Sequence, residues 1–112
     1  MLQIMRQTLT FIIVWLSVAV SHAETVDVKN RGAVDLDPFV CNAVTGSYIN
    51  RICYDELEGY MLVQFGGVWY HHCGIGTETI AALVGAESVA RQYSGSLKGK
   101  FGCEANRMPS YY

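Results

Sequence analysis

The sequence predicts an α+β domain: a three-stranded antiparallel β-meander packed by a C-terminal helical segment and stapled by disulfides. Three observations carry this expectation. Residues 48–54, 60–65 and 68–73 are rich in β-branched and aromatic side chains, as strands are. Gly66-Gly67 separates the second and third of these runs by two residues, the length of a tight hairpin turn. Four cysteines stand in the last 72 positions, an even count that suits a disulfide framework.

The first strand, Y-I-N-R-I-C-Y at residues 48–54, ends in the polar D-E-L-E-G, which suits a turn. A two-residue turn at Gly66-Gly67 then fixes the hairpin register: Phe65 opposite Val68, Val63 opposite Tyr70, and Met61 opposite His72. Because alternate residues share a face, these six side chains lie together and make the natural core. The other face carries Tyr60, Leu62 and Gln64 with Trp69, His71 and Cys73. Left bare, Tyr60, Leu62 and Trp69 would form a sizeable apolar patch, so this face calls for a cover or a partner.

Beyond Gly74–Gly76 the pattern turns helical. Thr77 can cap a helix with Glu78 in its first turn, and Ile80, Leu83 and Val84 fall on one stripe. Ser88 can cap a second short helix through Val89, Gln92 and Tyr93. Residues 24–46 read as a polar arm with at most a short strand, and 104–112 as a tail, which leaves 47–103 as the domain.

The first 23 residues read as a cleavable signal peptide. Arg6 supplies the positive start, residues 9–20 an apolar run, and Ser21-His22-Ala23 a small-residue cleavage site. Twelve apolar residues fall short of the roughly 20 that span a bilayer, so no stable membrane anchor is expected after cleavage. The expected location is secreted or periplasmic, and the mature chain would be Glu24 to Tyr112.

In that oxidising setting Cys41, Cys53, Cys73 and Cys103 read as two disulfides. The meander places Cys53 and Cys73 two strands apart, about 9–10 Å, beyond the reach of a disulfide of about 7 Å. This leaves Cys41–Cys53 with Cys73–Cys103, or Cys41–Cys73 with Cys53–Cys103. The first pairing closes the shorter loops and is preferred.

Composition argues against several functions. Arg6 is the only charged residue of the signal, so the mature chain sets seven basic residues against ten acidic ones, a net charge of −3. A dedicated nucleic-acid binder usually has the opposite sign. Arg91, Lys98, Lys100 and Arg107 do cluster late, as they would at a solvated helix end. His71-His72-Cys73 draws attention as a metal or catalytic group, but adjacent strand residues point to opposite faces and cannot chelate one ion together. The cysteine spacings match no zinc pattern, no G-x-S-x-G elbow or phosphate loop occurs, and no nucleophile–base–orienter set stands out. No catalytic residue, metal or cofactor is assigned.

Several stretches in order resemble the KTSC domain family, named after a domain at the C-terminus of some lysyl-tRNA synthetases. They are S-Y-I-N-R-I-C-Y-D at 47–55, M-L-V-Q-F-G-G at 61–67, V-W-Y-H-H at 68–72, A-E-S at 86–88 and Y-S-G-S-L-K-G-K-F at 93–101. The family's Y-x-Y falls on Tyr70-His71-His72, so its second Tyr is His72 here. Its Val-Pro after that strand is replaced by Ile75-Gly76, and its Asn by Ser94. The Pro and Gly flanking the family Ser are replaced by Glu87 and Ala90. The resemblance implies a meander packed by helix, in an exported single-domain member. It also implies RNA binding as one role, through Tyr70 with Arg91, Lys98 and Lys100. Export, negative charge and the loss of the second Tyr count against that role. The expected function is therefore a non-catalytic interaction module. A protein or envelope partner would meet Tyr60, Leu62, Trp69 and His71, with Tyr70, His72 and the basic end as further candidates.

Overall fold

The computed structural model describes residues 24–104 and 107–111, so the expected signal peptide lies outside the described residues. Its architecture corrects the predicted one. In place of a three-stranded meander there is one six-stranded mixed sheet, curled into a half-barrel, with two short helices. The strands are β1 (Thr25–Val28), β2 (Gly32–Asp35), β3 (Val40–Ala43), β4 (Ile49–Asp55), β5 (Tyr60–Phe65) and β6 (Val68–His72); the helices are α1 (Thr77–Val84) and α2 (Val89–Ser96). The spatial order is β2-β1-β6-β5-β4-β3. All neighbours are antiparallel except β1 and β6, which run parallel with Val28 beside Trp69.

The residues expected to be an arm therefore supply three strands. The physical reason they escaped notice is their thinness. β1 and β2 are four residues each with one buried side chain apiece, Val28 and Val34. β3 (V-C-N-A) has none. Such strands form because neighbours hold them. Asn30 takes the left-handed conformation (φ 67°) that lets the chain turn back between β1 and β2. The Lys29 amide donates to the Trp69 carbonyl at 2.9 Å, extending the join to β6.

The central hairpin has the register its turn demands: Phe65 pairs with Val68, Val63 with Tyr70 and Met61 with His72. Only Gly66 of the Gly66-Gly67 turn takes positive φ (60°), the signature of a turn with glycine first. Both helices cover one face. Ile52, Tyr54, Met61 and Val63 pack there against Leu83, Ala90, Tyr93 and Leu97. α2 is capped by Ser88, whose hydroxyl accepts from the Arg91 amide at 3.2 Å, whereas α1 is capped by Gly76 rather than by the Thr77 side chain.

The other face has its own core. Val28, Val34, Leu36 and Phe39 close over Cys53, Tyr60, Leu62, Trp69 and Cys73, with Met108 of the tail packed against them. The central strands are thus buried on both sides. Trp69 is 5% exposed, and Tyr60 and Leu62 are fully buried. The expected partner face of Tyr60, Leu62 and Trp69 is therefore not available; Val28 of β1, Val34 of β2, Leu36 and Phe39 of the β2–β3 connection, and the tail cover it.

Two disulfides complete the fold, Cys41–Cys53 and Cys73–Cys103, the preferred pairing. Cys41 sits directly opposite Cys53 in the β3–β4 ladder, with Cα atoms 4.0 Å apart. Cys73 is tied to the segment after α2, where its amide also donates to the Phe101 carbonyl at 3.1 Å.

Candidate functional site

Where β5 and β6 meet α2, aromatic side chains gather at the rim of the helix-covered face. Phe65 and Tyr70 share that face and stand diagonally across the hairpin, a reach open to aromatic side chains. Their ring centroids are 5.4 Å apart, edge to face. Tyr48, just before β4, stacks on Phe65 at 5.5 Å with planes 20° apart. Tyr93 comes from α2, on the Ala90, Tyr93, Leu97 stripe that faces the sheet, and meets Phe65 edge-on at 5.2 Å. Lys98, beyond the end of α2, completes the lining of an open pocket of about 380 Å³.

Two fixtures hold these rings. Tyr93 bonds His72 Nε2 at 2.8 Å through its hydroxyl, and Tyr48 bonds the Ser94 hydroxyl at 3.2 Å. In the neutral tautomer protonated at Nδ1, Nε2 can accept from the Tyr93 O–H. Burial is the main reason that His72 stays neutral. With the nearby His71 it pulls the pKa from an ordinary 6.5 to about 4. Burial also raises the Tyr93 pKa, keeping its hydroxyl a donor.

The pocket's charge is one-signed. Among the described residues Lys98 is its only charged lining residue. Lys29, from the β1–β2 turn, places its ammonium 5.6 Å from the Tyr70 ring centroid, a cation–π distance. Four rings and two ammonium groups thus bear on one rim.

The sequence-predicted residues divide among several places. Tyr70 and Lys98 come together here. His72 lies behind the pocket, 9% exposed, and acts on it through Tyr93. His71 points to the other face, where its Nδ1 meets the Tyr60 hydroxyl at 2.8 Å, so the two imidazoles do diverge. Trp69 is buried, with the Arg51 guanidinium 5.7 Å from its ring centroid. Arg91 lines a separate hollow with Ser88, Gln92 and Ser96, and exposed Lys100 is not in the lining of the aromatic pocket. Among the described residues no group of three His, Cys, Asp or Glu is placed to hold a metal ion. The four cysteines serve as staples.

Tyr48, Phe65 and Tyr93 are the functional candidates that sequence reasoning missed. Phe65 could have been found from the hairpin register, which sets it diagonally to Tyr70. Tyr93 could have been found only by knowing which side of the sheet α2 covers. No family model matches the chain, and no curated protein or solved structure is significantly similar to it.

Proposed function

We propose that the chain is an exported, non-catalytic binding module that takes a small planar ligand carrying an anionic group into the aromatic pocket. The observation that carries this reading is the convergence of Tyr48, Phe65, Tyr70 and Tyr93 with Lys98 in one open cavity that has no acidic lining residue among the described residues. Aromatic walls favour a planar ring by stacking, and an ammonium at the rim favours a carboxylate or phosphate. The two disulfides, and the absence of any helix long and apolar enough to cross a membrane among the described residues, suit an exported role. The KTSC resemblance remains part of this proposal, and the exported context places its partners in the envelope or outside the cell.

One observation favours a narrower second reading. Tyr70 and Lys98, the stacking and basic residues assigned to nucleic-acid binding, do share the pocket. Arg91 is directed elsewhere, so this geometry fits a single nucleotide rather than a track for a strand.

The test is a titration of the oxidised protein with benzoate, a nucleoside monophosphate and a short oligouridylate at low salt, followed by amide chemical shifts and calorimetry. Shifts should concentrate at Tyr48, Phe65, Tyr70 and Lys98, and Tyr70→Ala should weaken binding about fivefold to a hundredfold, as lost stacking of ~1–3 kcal/mol implies. No shift at the pocket with any probe up to millimolar concentration would refute the reading. Tight, salt-dependent binding of the oligouridylate alone would favour the nucleic-acid role instead.

A further inference from the structure

At the opposite edge of the sheet lies a second feature, independent of the aromatic pocket. Among the described residues β3 is the outermost strand and pairs with β4 alone. In an antiparallel ladder alternate residues turn their N–H and C=O groups outward. Cys41 and Cys53 stand 4.0 Å apart, the close spacing of a pair without mutual backbone hydrogen bonds. The backbone groups of Cys41 and Ala43 therefore face away from β4, while the Val44 amide turns inward to the Asn50 carbonyl at 2.9 Å. An open edge of this kind is a template for another strand. The Cys41–Cys53 disulfide clamps it to β4, so little ordering entropy remains to be lost on binding.

Beside this edge runs an apolar groove. Val40 and Asn42 of β3, Tyr54 of β4, and Thr77, Ile80 and Val84 of α1 line a hollow of about 330 Å³, with Glu56 at one end. Thr77, Ile80 and Val84 are spaced to fall on one stripe of the helix. Val40 is 71% exposed and Val84 37%. A neighbouring hollow shares Val40, Tyr54 and Glu56 and adds Leu57, 95% exposed, with Glu58 and Asp55. Among the described residues no basic side chain lines either hollow.

We propose that this edge captures a short extended segment of a partner protein as a seventh strand, antiparallel to β3. Its alternate apolar side chains would enter the groove beside α1, and a Lys or Arg near its C-terminal end would meet Glu56. The antiparallel direction follows from the preference of edge additions for that ladder, and it puts the segment's C-terminal end at the Val40 end of β3. Charge selects the occupant. A second copy would bring another acidic edge, with Asp35 and Asp37 before β3 and no basic side chain within it. A basic segment meets complementary charge instead.

The probe is a synthetic peptide of three Val-Thr repeats closed by two lysines, titrated into the oxidised protein. The Cys41 and Ala43 amides should shift, and their hydrogen exchange should slow at least tenfold at saturation. The same peptide closed by two glutamates should bind at least threefold more weakly, and Glu56→Gln should shrink that difference, as expected for an exposed ion pair. Ala43→Pro removes an outward donor and should weaken binding at least tenfold. Should that variant melt early, a peptide N-methylated at alternate residues gives the same readout from the ligand side. No shift at β3 up to millimolar peptide would overturn the proposal, as would shifts confined to the Tyr48–Tyr70 pocket. Concentration-dependent protection of β3 without peptide would overturn it in favour of a second copy.

Discussion

Acidification should destabilise the fold through His72, and the size of the effect follows from where the imidazole sits. His72 is 9% exposed, is hydrogen-bonded to the Tyr93 hydroxyl through Nε2, and has its pKa pulled from 6.5 to about 4. The folded state therefore resists a proton that the unfolded state accepts below pH 6.5. Between pH 6.5 and 4 the unfolded chain binds more protons, so stability rises with pH across that window and is lost as pH falls through it. At 1.36 kcal/mol per pKa unit, the full window amounts to about 3 kcal/mol. His71, also shifted down chiefly by burial, adds a loss of the same sign. Lowered carboxyls at Glu24 and Glu58 act below the ordinary carboxylate value of 4.5. The measurement is therefore a difference: urea unfolding of wild type and His72→Gln, disulfides intact, at half-unit steps from pH 7.5 to 4. Wild type should lose about 3 kcal/mol more than the variant across the window. The reasoning fails if the two curves run parallel, because His72 would then titrate alike in both states.

Further expectations concern the staples, the second core and the first turn. Removing Cys73–Cys103 by paired alanines should cost about 4 kcal/mol and removing Cys41–Cys53 about 3, since the former closes the longer loop; chemical denaturation of each double variant tests the order. Leu62→Ala should cost about 2–5 kcal/mol, because Leu62 is fully buried in the second core, and unchanged stability would mean that the first strands do not cover it. Asn30→Val should cost about 1–2 kcal/mol through its left-handed backbone, whereas Asn30→Gly should not destabilise; equal losses in both variants would place the effect in the side chain instead.

Local rules made the β5–β6 hairpin legible. A two-residue turn at Gly66-Gly67 admits one register, and that register puts Met61, Val63, Tyr70 and His72 on one face. The same logic showed that Trp69, Leu62 and Tyr60 needed a cover. What it could not show was the source of that cover. Val28 and Trp69 are 41 residues apart in sequence, and a parallel join between them leaves no local pattern. β1, β2 and β3 each bury at most one side chain, so their alternation is too thin to stand out. The aromatic pocket was half legible for the same reason. Tyr70 and Lys98 were visible as residue types, but Tyr48 and Tyr93 join them only once β4 and α2 are packed on the hairpin.

Burial of β4, β5 and β6 on both faces restricts how this fold can recognise anything. A half-exposed sheet would offer a broad surface, yet here residues 28–39 and the tail pack over one face and the helices over the other. Any recognition would be left to the rims, and the rims differ in charge. Lys98 and Lys29 border the aromatic end, whereas Glu56 and Glu58 border the β3 edge. From Glu24 onward the sequence carries seven basic and ten acidic residues, so both signs are available to be sorted between the rims. If both proposals hold, segregating the two signs would give each rim its own preference: an anionic ring at one, a basic strand at the other. Electrostatics of this kind raises encounter rates and selects partners more than it adds affinity. The rings of the pocket and the apolar groove beside β3 would therefore supply most of the binding energy, while charge decides which ligand reaches which rim.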